Sequence, residues 1–388
     1  MVLVIEARRA LVRTLGYSSI ISAMLLCFGD SCSSSDGLGA RPALGPPLRV
    51  IATVVSKSGG RLTGAVGLEN CEIAIADANA RVIVVLDADG RQLRRIRVAD
   101  DEHGSASPLR LDASMDGRAL VWDDVPGLLR AIDLRTGLAR NIAVPPDPWG
   151  LRMPGPAVQL PGGLIALARL GDGSWPRSEP PSHPLAYRVE TVDSLGRAVQ
   201  QLGPIGSRGG RYLTWLSAAS ALGRAEDTLV VVDLGLALIY RYERRGVLAP
   251  YEVLDTLRLP RYFAPQPTRE TAARVAGVQG PVYRFQVDRQ LEGAAVDGRG
   301  DVYAIRSRES AGRYGTSRID RSLEIYSARG ALLGSYRLPI PDVRFLSVSG
   351  DGRLVLRGAV GLHSVLIVTS DPLRAGPCDG ARYQVAMR

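Results

Sequence analysis

The chain holds three histidines, His103, His183 and His363, and four cysteines, Cys27, Cys32, Cys71 and Cys378, among its 388 residues. Acid–base and nucleophilic catalysis near neutral pH usually draw on His or Cys set beside an orienting partner. Here each His stands in a different part of the sequence. No His-Glu-x-x-His, nucleophile elbow, phosphate-binding loop or zinc-finger spacing occurs. No catalytic residue is assigned.

Charged groups offer more. Asp77, Asp123, Arg169, Asp233, Arg306 and Arg357 each close a short apolar run. A repeat that wraps those runs about an axis would set the six side chains in a ring. The ring has two readings. In the first it is a charged mouth that selects a ligand, its acids able to hold calcium or another divalent ion through oxygen. In the second the Asp side chains cap turns and the Arg side chains lie in solvent. Turn capping is the more common use of such an Asp, so no cofactor is assigned. Trp149 and Trp175 follow or sit in Pro- and Gly-rich stretches and are candidate contact residues, whereas Trp122 lies in an apolar run and is expected in the core.

The elements that must position these groups form a repeat: a short apolar strand, a Gly or Asp turn, a second strand ending in Asp or Arg, a third strand and another Gly turn. In the clearest copy, residues 73–77 form a strand, residues 82–86 another, Asp87-Ala88-Asp89-Gly90 a turn and residues 93–98 the outer strand. The Asp-x-x-Gly turn suits an Asp that bonds its own backbone and a Gly that accepts positive φ. Further copies centre on residues 119–122, 164–168, 228–233, 302–305 and 354–356. Each four-stranded sheet leaves faces that only a neighbour can bury, so the copies must close into a ring. The fold class is all-β, a six-bladed β-propeller of four-stranded antiparallel blades. An unmatched strand at residues 48–55 is expected to complete the last blade. Residues 267–276 are expected to form a short helix capped by Thr268, with Glu270 in its first turn.

The run from Ile73 to Ile96 resembles the repeat of NHL-type six-bladed propellers, and Ala76, Asp77, Asn79, Arg81, Asp87 and Gly90 match its pattern position by position. The Gly-rich residues 202–210 are similar to the loop that often follows a blade in exported bacterial members. The resemblance implies a rigid scaffold whose loops recognise a protein, peptide or carbohydrate. Propeller lactonases, by contrast, hold a metal in the axial channel with Glu, Asn and Asp from several blades. A metal-dependent hydrolase of that kind is the alternative reading.

Composition agrees with many short strands: 46% hydrophobic, with 43 Gly and 25 Pro. The net charge of +9 comes almost wholly from scattered Arg, Lys57 being the one lysine. That pattern lacks the clustered basic stripe of a nucleic-acid reader, and nucleic acid is not expected as a partner.

Arg8, Arg9 and Arg13 precede an apolar stretch at residues 15–28 and small polar residues at 31–35, the pattern of an export signal. The apolar stretch falls short of the ~20 residues a spanning helix needs. Residues 1–35 are therefore read as a signal peptide or lipoprotein signal, 36–47 as a linker and 48–388 as the propeller. Cys27 and Cys32 are the candidate lipidation sites, and either a lipid anchor or simple secretion fits. The expected location is the periplasm, the cell envelope or outside the cell. Cys71 and Cys378 lie near opposite ends of the domain. They either pair across the ring closure or remain two buried thiols.

Overall fold

The structure, a computed structural model, describes residues 44–56, 61–68, 71–98, 100–101, 104–105, 108–113, 117–123, 128–144, 155–168, 189–203, 221–233, 237–246, 249–259, 267–274, 281–287, 291–311, 317–340, 343–349, 353–360, 363–374, 378 and 383–387. Among them no helix is long and apolar enough to cross a membrane.

Six antiparallel sheets follow one another along the chain. Blade one is Leu62–Gly67, Ile73–Asp77, Val82–Leu86 and Gln92–Arg97. Blade two is Pro108–Ala113, Arg118–Asp123, Leu128–Asp133 and Ala139–Ala143. Blade three is Ala157–Gln159, Ile165–Ala168, Val189–Val192 and Ala198–Leu202. Blade four is Ala221–Ala225, Thr228–Asp233, Leu238–Arg244 and Tyr251–Arg258. Blade five is Leu291–Val296, Val302–Ala311, Ser317–Tyr326 and Leu332–Arg337. Blade six takes Val343–Val348, Leu354–Val360 and His363–Thr369 from the end of the chain and Val50–Ser56 from its beginning. The expectation that the N-terminal strand completes the last blade is met.

The middle strands explain why the blades need one another. Ile73–Asp77 and Val82–Leu86 are buried along their whole length, because a neighbouring blade covers each face. The residues of one strand alternate between two interfaces. Ala74 and Ala76 pack with Leu111, Ala119 and Val121 of blade two, while Ile73 and Ile75 pack with Val355, Leu366 and Val368 of blade six. The same alternation recurs between blades two and three, three and four, four and five, and five and six. The core is thus six layers, one per interface, and burial of apolar area between sheets supplies the main favourable free energy.

First strands of adjacent blades converge on the axis, where small residues are required. A Cβ built on Gly64 would lie 2.9 Å from the backbone nitrogen of Leu111, and one on Gly223 would overlap Val296.

Three features differ from the sequence reading. Residues 267–274 form a strand paired with Pro281–Val287, where a helix capped by Thr268 was expected; Thr268 falls at a register shift in the hairpin. The alternating Tyr283, Phe285 and Val287 mark a strand partner for that segment, and pairing overrides a weak helix-start signal. Gly45–Pro47, within the stretch read as linker, pairs in parallel with the outer strand of blade five. Tyr383–Met387 adds a fifth, parallel strand to blade six outside Val50–Ser56.

Candidate functional site

Strand direction sorts the connections onto two faces. In each blade the first and third strands run one way and the second and outer strands the other. The joins from first to second and from third to outer strand therefore share one face, the turn face. On it lie residues 68–72, 87–91, 114–117, 134–138, 160–164, 193–197, 226–227, 245–250, 297–301, 327–331 and 349–353, each a short link. The opposite face, the loop face, takes the joins from second to third strand and from one blade to the next. Five of the six connections of ten residues or more begin and end there: 98–107, 144–156, 169–188, 203–220 and 259–290, the last including the Pro267–Arg274 and Pro281–Val287 hairpin; the sixth, 370–382, begins and ends on the turn face.

The short turns account for themselves. The Asp87 carboxylate accepts the backbone N–H groups of Asp89 and Arg91 at 2.9 and 2.8 Å, and Gly90 has φ +78°. Asp193 does the same for Leu195 and Arg197, and Asp297 for Arg299 and Asp301. These are Asx turns with a structural purpose.

On the loop face, the proposed ring of charges resolves residue by residue. The Asp77 carboxylate accepts the N–H groups of Asn79 and Ala80 at 3.0 and 3.1 Å and caps the turn between the second and third strands. Asp233 ends its strand fully buried. By alternation Asp77, Asp233 and Arg306 all point toward the preceding blade, so they share a register. Arg306 does not close its strand, because Val302–Ala311 runs on past it. Its guanidinium donates to Glu324 at 3.0 Å, and Glu324 also accepts the Tyr326 hydroxyl proton.

Arg357 departs from the ring. It lies inside Leu354–Val360, alternates with the apolar residues in the opposite sense and donates to the carbonyl oxygens of Leu62 and Thr63 in blade one, both at 3.1 Å. The sequence reading placed it one residue out of register, since nothing local marks which face of a fully buried strand a residue takes. Asp123 closes Arg118–Asp123 as expected for its backbone. Arg169, Trp149 and Trp175 lie outside the described residues, as do His103 and His183. Trp122 is buried between blades two and three. His363 is exposed, with Nδ1 3.3 Å from the Ser56 carbonyl oxygen.

Three carboxylates meet on the turn face. Arg374 reaches Asp301 at 2.7 Å, Asp297 at 3.5 Å and Asp371 at 3.9 Å, and the Tyr303 hydroxyl donates to Asp371. Burial pushes the Asp297 carboxyl and the Tyr303 hydroxyl above their ordinary values, while the hydrogen bond to Asp301 raises that of Arg374. Between blades two and three, burial likewise raises Asp112 although Arg110 is bonded to it at 2.7 Å. Among the described residues no group of three or more His, Cys, Asp or Glu is arranged to hold a metal ion.

The seam between blades six and one carries Arg353, which the sequence reading missed, and the Cys71–Cys378 bond, one of the two readings the sequence left open. Arg353 is buried and donates to the carbonyl oxygens of Leu68, Cys71 and Glu72 at 2.8, 3.0 and 3.1 Å. Beside it the sulfurs of Cys71 and Cys378 are joined, with Cα atoms 5.4 Å apart. The local signal for Arg353 is only another Asp-Gly-Arg turn, indistinguishable from those at Arg91, Arg118 and Arg299, whose side chains lie in solvent.

No protein-family model and no curated protein matches the chain. Solved structures similar to it include a member of the DUF4221 family from Bacteroides vulgatus, 13% identical with a TM-score of 0.47, covering 84% of this chain and 96% of that one. A gluconolactonase from Xanthomonas campestris is 16% identical with a TM-score of 0.45, covering 84% and 96%. Virginiamycin B lyase from Staphylococcus aureus is 12% identical with a TM-score of 0.45, covering 83% and 97%. The six-bladed propeller itself stands on the sheet order and the closed set of interfaces, and the likeness adds no function to it.

Proposed function

We propose that the chain is an exported recognition protein that binds a protein, peptide or carbohydrate with the loop face of its propeller. One observation carries this reading: five of the six connections of ten residues or more begin and end on that face, while the opposite face has short turns and the C-terminal connection 370–382. A rigid scaffold that elaborates one face positions variable loops together, and binding residues concentrate in such loops. Trp149 and Trp175 belong to two of these connections and are the aromatic anchors of the proposal. The 259–290 connection supplies Arg261, Arg269, Arg274, Arg284 and Arg289 against Glu270 and Asp288, which favours a partner with acidic groups.

Export is part of the same proposal. Arg8, Arg9 and Arg13 followed by the apolar residues 15–28 support it, and a Cys71–Cys378 bond suits an oxidising compartment. Attachment to a membrane, where present, would be through lipid on Cys27 or Cys32.

The test is capture from source-cell envelope material by the immobilised full chain, with metal analysis of the same sample. A stoichiometric partner without metal is the expected result. A tightly held divalent ion and no partner would replace this reading with a hydrolase centred on the axial channel.

A further inference from the structure

The ring is closed by an unusual stacking order. Val50–Ser56 comes from the start of the chain and leads directly into blade one, yet it lies between two strands from the end of the chain, His363–Thr369 on one side and Tyr383–Met387 on the other. Separating blade six from blade one requires the N-terminal strand to leave both. The segment that carries the outer clamp is fastened at three points. Arg374 grips Asp301 and Asp297 in the turn of blade five, Cys378 is bonded to Cys71 in the turn of blade one, and Tyr383–Met387 is paired in parallel with Val50–Ser56. Of these only the disulfide links the two ends of the chain covalently, across a separation of 307 residues.

We propose that Cys378 and the strand Tyr383–Met387 form a redox-released latch: the Cys71–Cys378 bond keeps the C-terminal strand on Val50–Ser56 and the ring shut, and its reduction by a dithiol lets the seam between blades six and one open. The chemistry is a two-electron exchange. The dithiol gives two electrons and two protons, the S–S bond breaks, two S–H bonds form and the dithiol closes to its own disulfide. With the bond intact, an opening at the seam leaves both ends tethered and recloses at once. With it broken, the outer clamp is a five-residue parallel edge strand held on one side only, and edge strands are the first to fray. Arg374 still holds the segment to blade five, so release is confined to the seam. Blades two, three and four share no strand with it and remain closed.

Hydrogen exchange of the full chain, oxidised and then treated with dithiothreitol under native conditions, tests the latch, with thiol titration to confirm reduction. Amides in 50–56, 363–369 and 383–387 should exchange about tenfold faster or more after reduction, while those in 118–123 and 228–233 stay unchanged. The C71S/C378S double variant should reproduce the reduced pattern without reductant. Equal exchange in both states, a uniform rise over all blades, or free thiols mapped to both Cys71 and Cys378 in the protein as isolated from an oxidising compartment would each overturn the proposal. Because reduction is performed on folded protein, a failure of the double variant to fold leaves the first measurement decisive.

Discussion

Arg353 of blade six donates to the carbonyl oxygen of Cys71 in blade one at 3.0 Å, and the same guanidinium satisfies the carbonyls of Leu68 and Glu72. One buried side chain thus serves three backbone acceptors in the turn that also holds the disulfide. Replacing it with Ala leaves those acceptors without their donor, at a cost of about 2–4 kcal/mol. Chemical denaturation of the Arg353→Ala variant should show that loss, whereas Arg299→Ala, an exposed turn residue, should stay within about 0.5 kcal/mol of the parent.

The axis makes a second demand. Gly223→Ala places a methyl group against Val296, and the overlap with a packed neighbouring strand should cost about 1–3 kcal/mol. Gly298→Ala meets nothing within 4 Å and serves as the control. Equal stability of the two variants would mean that the first strands are farther apart than the structure places them.

The Arg306–Glu324 pair tests whether charges on the loop-face side hold the blade or await a ligand. Glu324 is 2% exposed and Arg306 12%. Glu324→Leu should cost about 3–5 kcal/mol by leaving a buried guanidinium without its carboxylate. The Arg306→Met/Glu324→Leu double variant should lose less than the two single losses together. Strict additivity of the three unfolding free energies would show that the residues do not interact.

Turn carboxylates set the acid response. The backbone N–H of Arg197 holds the Asp193 carboxyl below its ordinary value of 3.8, and the N–H groups of Thr136 and Arg135 do so for Asp133. A lowered folded-state value gives stability that is present above 3.8 and lost as pH falls through the folded value. Asp112 and Asp297, raised by burial, act with opposite sign: their contribution is full below 3.8 and is lost as pH rises through the folded value. In Asp193→Asn the fall in stability on acidification below 3.8 should be shallower than in the parent. A slope identical to that of the parent would remove Asp193 from the account.

Much of the fold was legible in the sequence because its signals are local. Asp87 to Gly90 announces a turn through side-chain and backbone preferences that act within four residues, and the apolar runs at 73–77 and 228–233 mark strands buried on both faces. The misread helix at 267–276 shows where local signals fail, since the strand that captures it begins only at Pro281. Arg357 fails for a related reason: both faces of its strand are apolar, so alternation gives no sense of direction. The candidate face was not legible at all. It emerges only when strand direction assigns each connection to one side of the ring, and Arg353 at the seam meets acceptors from the far end of the chain, whereas the pairing of Cys71 with Cys378 was one of two readings the sequence allowed.

A hydrogen-exchange footprint of the full chain, alone and in complex with the partner it captures, distinguishes recognition through the loop face from recognition elsewhere on the propeller. Protection is expected in the connections 98–107, 144–156, 169–188, 203–220 and 259–290 and none in the turns at 87–91, 193–197 and 327–331. Protection confined to those turns would contradict recognition through the loop face.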